Sequence, residues 1–166
     1  MEPGSADHRL ALVIDPDNAC RRSIRRMLAA LGFDVVQAAN GLVGLELIQR
    51  LPESFRLVLA DLDLPGVPGV VVVETLQRFR PGLPVVCMGR SAAVAAAPAT
   101  GCLLKPLDAG ELKAQIESVL AGTRSHWEED RSVAAQEAVL RAEARYAQGN
   151  SLVEAALELA RGFRED

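Results

Sequence analysis

Five short apolar runs, four of them closed at once by a polar or turn-forming residue and all separated by stretches of helical periodicity or turn residues, constrain this chain more than any other feature. The runs are Leu10–Ile14, Phe33–Ala38, Leu57–Ala60, Pro84–Met88 and Gly101–Leu104. Most of their Val, Leu and Ile residues follow one another without polar alternation, which is the pattern of strands covered on both faces. Between the runs, Asn18–Leu31 repeats Ile24, Met27, Leu28 and Leu31 at helical spacing and stops at Gly32. Gly41–Leu51 places Leu42, Leu45 and Ile48 on one face, Val70–Phe79 forms a helix before Pro81, and Asp108 caps a last helix through Leu120. Strand and helix in such alternation predict an α/β fold, a doubly wound parallel sheet with right-handed crossovers. A chain of 166 residues has room for one such domain and an appendage.

In an open parallel sheet the ligand crevice lies outside the carboxyl ends of the strands. The residues this reading sets there are Asp15, Asp61, Gly89 and Lys105. A polar strand end would explain either acid alone. Two acids and a lysine meeting from three strand ends point instead to a site.

With those residues in place, the chain resembles the receiver domain of two-component response regulators over about residues 8–121. The resemblance is carried by VID with Asp15, by LADLDLPGVPG with Asp61, and by LLKP with Lys105 and Pro106. It implies a flavodoxin-like five-stranded sheet in the order 2-1-3-4-5. It also implies that Asp61 takes a phosphoryl group from a histidine kinase or phosphotransferase, and that Lys105 contacts the phosphoryl oxygens. Mg²⁺ would be held by Asp15, Asp17, Asp61 and the backbone carbonyl of Asp63. A carboxylate is a poor nucleophile toward a dianionic donor unless a divalent cation screens both, and Mg²⁺ prefers oxygen ligands.

Three positions depart from the family pattern. Pro16 stands where a second acid usually follows Asp15, so Mg²⁺ is expected to bind weakly, with Asp17 offering its carboxylate one residue late. Gly89 stands where the family has a Ser or Thr, with Arg90 and Ser91 as possible substitutes, and Cys102 replaces the aromatic whose rotamer reports phosphorylation. The segment RSAAVAAAPAT leaves the fourth crossover short by roughly a turn and a half of helix, and Pro98 limits what helix remains.

The rest of the sequence gives quieter signals. The cysteines Cys20, Cys87 and Cys102 are widely spaced and form no C-x-x-C pair, so they read as small hydrophobes rather than a disulfide or zinc set. Arg21, Arg22, Arg25 and Arg26 read as a solvated helix face ahead of a docking surface, and His8 and His126 lack partners at metal or catalytic spacing. Net charge is −4, and residues 123–166 carry six basic against nine acidic side chains, so nucleic-acid binding is not expected. No stretch reads as a signal peptide or membrane span, and the expected location is cytoplasmic.

The expected domain plan is a flexible leader at 1–7, the receiver at 8–121 and a helical tail at 122–166. The tail reads as a hairpin of helices at 123–148 and 151–163, broken at Gly149-Asn150, with Leu152, Ala156, Leu159 and Phe163 on an apolar stripe. Such a stripe must bury itself on its own receiver, on a second copy or on a partner. A homodimerisation or docking hairpin is the preferred reading, and the five β/α units are expected to fold without it. AQGNSLVEAALEL faintly resembles half of a helix-turn-helix, and a single helical repeat is equally compatible. The leading function is a phosphorylated receiver signalling through protein contacts. A phosphorylation-independent pseudo-receiver and a transcriptional regulator with a degenerate helix-turn-helix are the alternatives. A metabolic enzyme is not expected, since the strand tips offer no nucleophile–base pair beyond the acids.

Overall fold

The computed structural model describes residues 9–51, 54–91, 94, 99–129, 153 and 156–157. The elements are β1 (Arg9–Ile14), α1 (Asn18–Ala30), β2 (Phe33–Ala38), α2 (Gly41–Arg50) and β3 (Phe55–Asp61). They continue with α3 (Gly69–Phe79), β4 (Val85–Gly89), β5 (Gly101–Leu104) and α4 (Ala109–Glu129). All strand pairings are parallel, and the sheet order is β2-β1-β3-β4-β5. The flavodoxin-like topology implied by the resemblance is the one observed.

Strand alternation divides the core in two, because successive side chains point to opposite faces. Ala11, Val13, Leu57, Leu59, Val86, Met88 and Leu103 meet Ile24 and Leu28 of α1 and Leu112 and Ile116 of α4. Leu12, Ile14, Val58, Ala60, Val85 and Cys87 meet Leu45 and Ile48 of α2 and Val72 and Leu76 of α3. Each large side chain so enclosed contributes about 1.5–3 kcal/mol through removal from water.

Helix starts follow local chemistry. Asp17 Oδ1 accepts from Ala19 N at 2.9 Å, Asn40 Oδ1 from Val43 N at 2.9 Å, and Asp108 Oδ2 from Glu111 N at 3.0 Å. These bonds satisfy amide groups that lack a partner inside the helix.

One boundary changes. The last helix does not stop at Leu120 but continues to Glu129, so the boundary drawn at 121/122 falls inside α4. Gly122 interrupts the apolar periodicity without ending the helix, because its φ is not in the left-handed range that closes helices and nothing crowds it. The tail is also not wholly apart from the receiver. Ala156 is completely buried within the α2–α3 cluster, and Val153 packs against the same cluster. Residues of the tail therefore share the core cluster of α2 and α3. Leu152, Leu159 and Phe163, the break at Gly149-Asn150 and the leader at 1–7 lie outside the described residues.

Among the described residues no α-helix stands between β4 and β5. Val94 is in 3₁₀ conformation, with its N–H donating to Ser91 O at 3.1 Å and its side chain buried. The return to β5 is fixed by Thr100 N to Val85 O at 2.8 Å and by Val85 N to Thr100 Oγ1 at 3.1 Å.

Candidate functional site

The carboxyl ends of β1, β3 and β5 bring three charged groups together. Lys105 Nζ donates to Asp15 Oδ2 at 2.7 Å and to Asp61 Oδ2 at 2.6 Å. Asp15 is completely buried, Asp61 is 4% exposed, and the Lys105 side chain is 11% exposed. One ammonium thus bridges two enclosed carboxylates, and the cluster keeps a net negative charge.

Each carboxylate has its other oxygen fixed by backbone. Asp17 N donates to Asp15 Oδ1 at 2.8 Å, and Asp63 N donates to Asp61 Oδ1 at 2.9 Å. Burial by itself would lower the pKa of Lys105, but its hydrogen bonds and ion pairs with Asp15 and Asp61 more than reverse this and hold it above the ordinary lysine value. At neutral pH Lys105 is therefore a fixed cation.

Residues read as core or surface turn out to support this cluster. The Cys20 thiol is pushed up to about 11, first by burial and then by its hydrogen bond to Asp15 and the charge of that carboxylate. Arg21 is not simply part of a solvated face: its Nη1 donates to Asp15 O at 2.5 Å, and its Nε donates to Gln37 Oε1 at 3.3 Å. Arg22, Arg25 and Arg26 are exposed, as expected. The nearness of Cys20 and Arg21 to Asp15, one turn along α1, was the available signal. With the thiol at about 11 instead of 9.0, alkylation of Cys20 by iodoacetamide at pH 8 should be about 100-fold slower than that of an unshifted thiol. Peptide mass spectrometry across pH checks this; an ordinary thiol profile would remove the Cys20–Asp15 bond.

Gly69 was legible only as turn punctuation. Its N–H donates to Leu62 O at 3.3 Å, and a Cβ added there would overlap the Asp61 carbonyl and lie 2.5 Å from Leu62 Cα. Gly69 thus lets the start of α3 press directly on the backbone that carries Asp61. The intervening turn is closed by Gly66, whose φ of 76° suits a residue without Cβ.

The remaining candidates divide. Asp17 is exposed and gives Oδ1 to the α1 cap while its N–H donates to Asp15 Oδ1. Among the described residues no three Asp, Glu, His or Cys side chains gather in metal-holding geometry. Asp17, Cys20, Arg90 and Lys105 line one cleft beside the cluster, with Pro106 after a cis bond from Lys105. Ser91 is exposed beyond the end of β4. Gly89 is buried, and a Cβ there would meet Val94 Cβ at 3.5 Å, an ordinary contact. Cys102 does not face the cluster; it is half-buried on the α2–α3 side of the sheet, in register with Cys87. Cys87, pushed up to about 11 by burial and by Cys102, is core as expected.

Comparison with known proteins agrees with this architecture. Residues 11–117 match the response regulator receiver domain family. The transcriptional regulatory protein ZraR of Klebsiella oxytoca is 31% identical over 119 residues, covering 68% of this chain and 26% of that protein. The CpxR homolog of Haemophilus influenzae is 33% identical over 122 residues, covering 69% of this chain and 51% of that protein. The chain therefore spans about a quarter to a half of these relatives. Among solved structures, a CheY-like receiver domain protein from Methanospirillum hungatei superposes with a TM-score of 0.65 at 26% identity, over 72% of this chain and 98% of that one. A Clostridium thermocellum receiver domain gives a TM-score of 0.65 at 21% identity, over 70% of this chain and 97% of that one, and shares the fold. With the sheet order, the two strand-tip acids and the bridging lysine on the page, the chain belongs to the response regulator receiver domain family.

Proposed function

We propose that the chain is a phospho-accepting receiver in which Asp61 takes a phosphoryl group from a histidine kinase or phosphotransferase and signals through protein contacts, not as a metabolic enzyme. The observation that carries this reading is the bridging of two buried carboxylates by Lys105 at 2.7 and 2.6 Å. In the step, an Asp61 oxygen attacks phosphorus while the donor's P–N bond breaks, and the imidazole leaves with the electron pair and takes a proton. Lys105 then meets the charge on the phosphoryl oxygens instead of the charge it now bridges.

The donor set suits one Mg²⁺. Asp15 and Asp61 supply hard anionic oxygens that already hold a cation between them, and Asp63, whose N–H bonds Asp61, would add its backbone carbonyl. Bound Mg²⁺ would supply charge screening between nucleophile and donor. With two carboxylates instead of three, its affinity is low, and Asp17→Ala should leave that affinity nearly unchanged, since Asp17 is spent on the helix cap. Isothermal titration decides; a large drop would return Asp17 to the ligand set.

Incubation of the full chain with phosphoramidate and Mg²⁺, followed by intact-mass measurement of wild type and Asp61→Asn, tests the reading. Gain of one phosphoryl group in the wild type and none in the variant is expected. No gain in either would favour the second reading, a phosphorylation-independent pseudo-receiver, for which Pro16 and Gly89 are the supporting observations. If phosphorylation occurs, Gly89→Ser should raise the yield about tenfold, the worth of one hydrogen bond to a charged group. The pocket admits the added Cβ without collision, so a fall in yield would show that the switch no longer runs through this position.

A further inference from the structure

Two thiols far apart in sequence become a pair when the strands that carry them are neighbours. Cys87 and Cys102 stand fifteen residues apart, with no C-x-x-C spacing to announce them. In the parallel β4–β5 ladder they are direct register partners, and both pack into the core on the α2–α3 side of the sheet. Cys20, the remaining cysteine, packs on the opposite side with α1. The register is held at both ends: Thr100 N donates to Val85 O at 2.8 Å before the pair, and Lys105 N donates to Gly89 O at 2.8 Å after it. Neighbouring strands run about 4.8 Å apart, within the roughly 4.4–6.8 Å between Cα atoms that a disulfide spans. Register partners on parallel strands point their side chains the same way, so the Cβ atoms keep near that spacing, longer than the about 3.8 Å a relaxed disulfide prefers. The two thiols can therefore be bridged, and the bridge would be strained.

We propose that Cys87 and Cys102 form a redox-active dithiol, oxidised by a peroxide to a disulfide between β4 and β5 and returned to two thiols by a small-thiol reductant. Exposure divides the roles. Cys102 is half-buried and meets solvent, whereas Cys87 has no exposed surface and its Sγ donates to Val94 O at 3.4 Å and Gly101 O at 3.6 Å. The Cys102 thiolate attacks one peroxide oxygen, the O–O bond breaks, and the other oxygen leaves with the electron pair and takes up the thiol proton as water or an alcohol. The Cys87 sulfur then attacks the sulfenic sulfur of Cys102, the S–O bond breaks, and hydroxide leaves to take the Cys87 proton as water. Two thiols and one peroxide thus give one disulfide and two hydroxyl products, with two electrons passing from sulfur to oxygen. Burial and the nearby Cys102 push the Cys87 thiol up to about 11, which makes the second step the slower one. A strained bridge is also the readily reduced kind. It would tie the strands two residues before Gly89 and three before Lys105, at the ends that carry the candidate site. The proposal stands whether or not Asp61 is phosphorylated.

Hydrogen peroxide treatment of the full chain tests it, with alkylation after denaturation, intact-mass measurement and peptide mapping without reductant. Wild type should lose the mass of two hydrogens and yield a linked Cys87–Cys102 peptide, with Cys20 recovered alkylated. Excess reduced glutathione should restore both thiols. With dimedone present, Cys87→Ala should accumulate the Cys102 adduct at least about tenfold over wild type, because the resolving thiol is gone. Cys102→Ser should give neither adduct nor bridge, and Cys20→Ser should oxidise as wild type does. The wild-type result carries the decision, so a variant that fails to fold does not remove the test. Four outcomes overturn the proposal: sulfinic acid on Cys102 without a linked peptide, a bridge that includes Cys20 or joins two chains, a bridge that forms only in urea, or one that glutathione leaves intact.

Discussion

Gly69→Ala should destabilise the protein by about 3 kcal/mol, the scale of overpacking a site that cannot yield. The same substitution should slow phosphorylation of Asp61 by ten- to about a hundredfold, since an ångström-scale displacement of a reacting group carries that penalty. The added methyl would meet backbone, the Asp61 carbonyl and Leu62 Cα, and backbone cannot swing aside as a side chain can. Helix propensity pulls the other way, favouring Ala over Gly by about 1 kcal/mol within a helix. The sign of the result therefore decides which effect governs. Gly89→Ala is the internal control, because its Cβ would sit at ordinary contact distance from Val94. Urea unfolding of the two variants should separate them clearly; equal midpoints would mean that the α3 start can withdraw from the Asp61 loop.

Lys105→Met should have an effect as large, and it should be electrostatic. Removing the ammonium leaves Asp15 and Asp61 enclosed and facing one another without a counter-charge, a loss of about 3–5 kcal/mol for a broken buried ion pair. Adding Asp61→Asn to Lys105→Met should recover much of this, and the double-mutant cycle should show strong coupling. The dependence on pH follows from the direction of the lysine shift. Its folded pKa lies above its unfolded value near 10.4, so the stabilisation is fully present below about pH 10 and is lost as pH rises through the folded value. The difference between wild type and variant should stay flat from pH 7 to about 10 and shrink only above that. In phosphorylation assays Lys105→Met should cost more than Arg90→Met, because Arg90 stands exposed on the cleft rim while Lys105 touches Asp61 directly. The reverse ranking would make Arg90 the phosphoryl contact.

What the sequence revealed and what it hid follow from range. Unbroken Val and Leu runs identify doubly covered strands because both faces must be apolar, and the strand ends then place Asp15, Asp61 and Lys105 without any coordinates. The cap at Asp108 was legible for the same local reason. The packing of Gly69 on the Asp61 loop was not, since a glycine in a turn looks alike whether it serves φ or close approach. Nor was the target of the tail, because an apolar stripe states that it must be covered and does not say by what. Ala156 shows that part of the answer is the receiver itself.

The bridging position of Lys105 also bears on which cations the cluster would admit. A tethered ammonium 2.6 and 2.7 Å from two carboxylates is already held in place by the fold, whereas a dissolved sodium or potassium ion must give up translational freedom and hydration to take the same position. Monovalent salt should therefore neither fill the cluster nor loosen it. A divalent ion would bring twice the charge to the same oxygens and should compete where a monovalent one does not. In displacing the ammonium it would also free that group to meet an incoming anion.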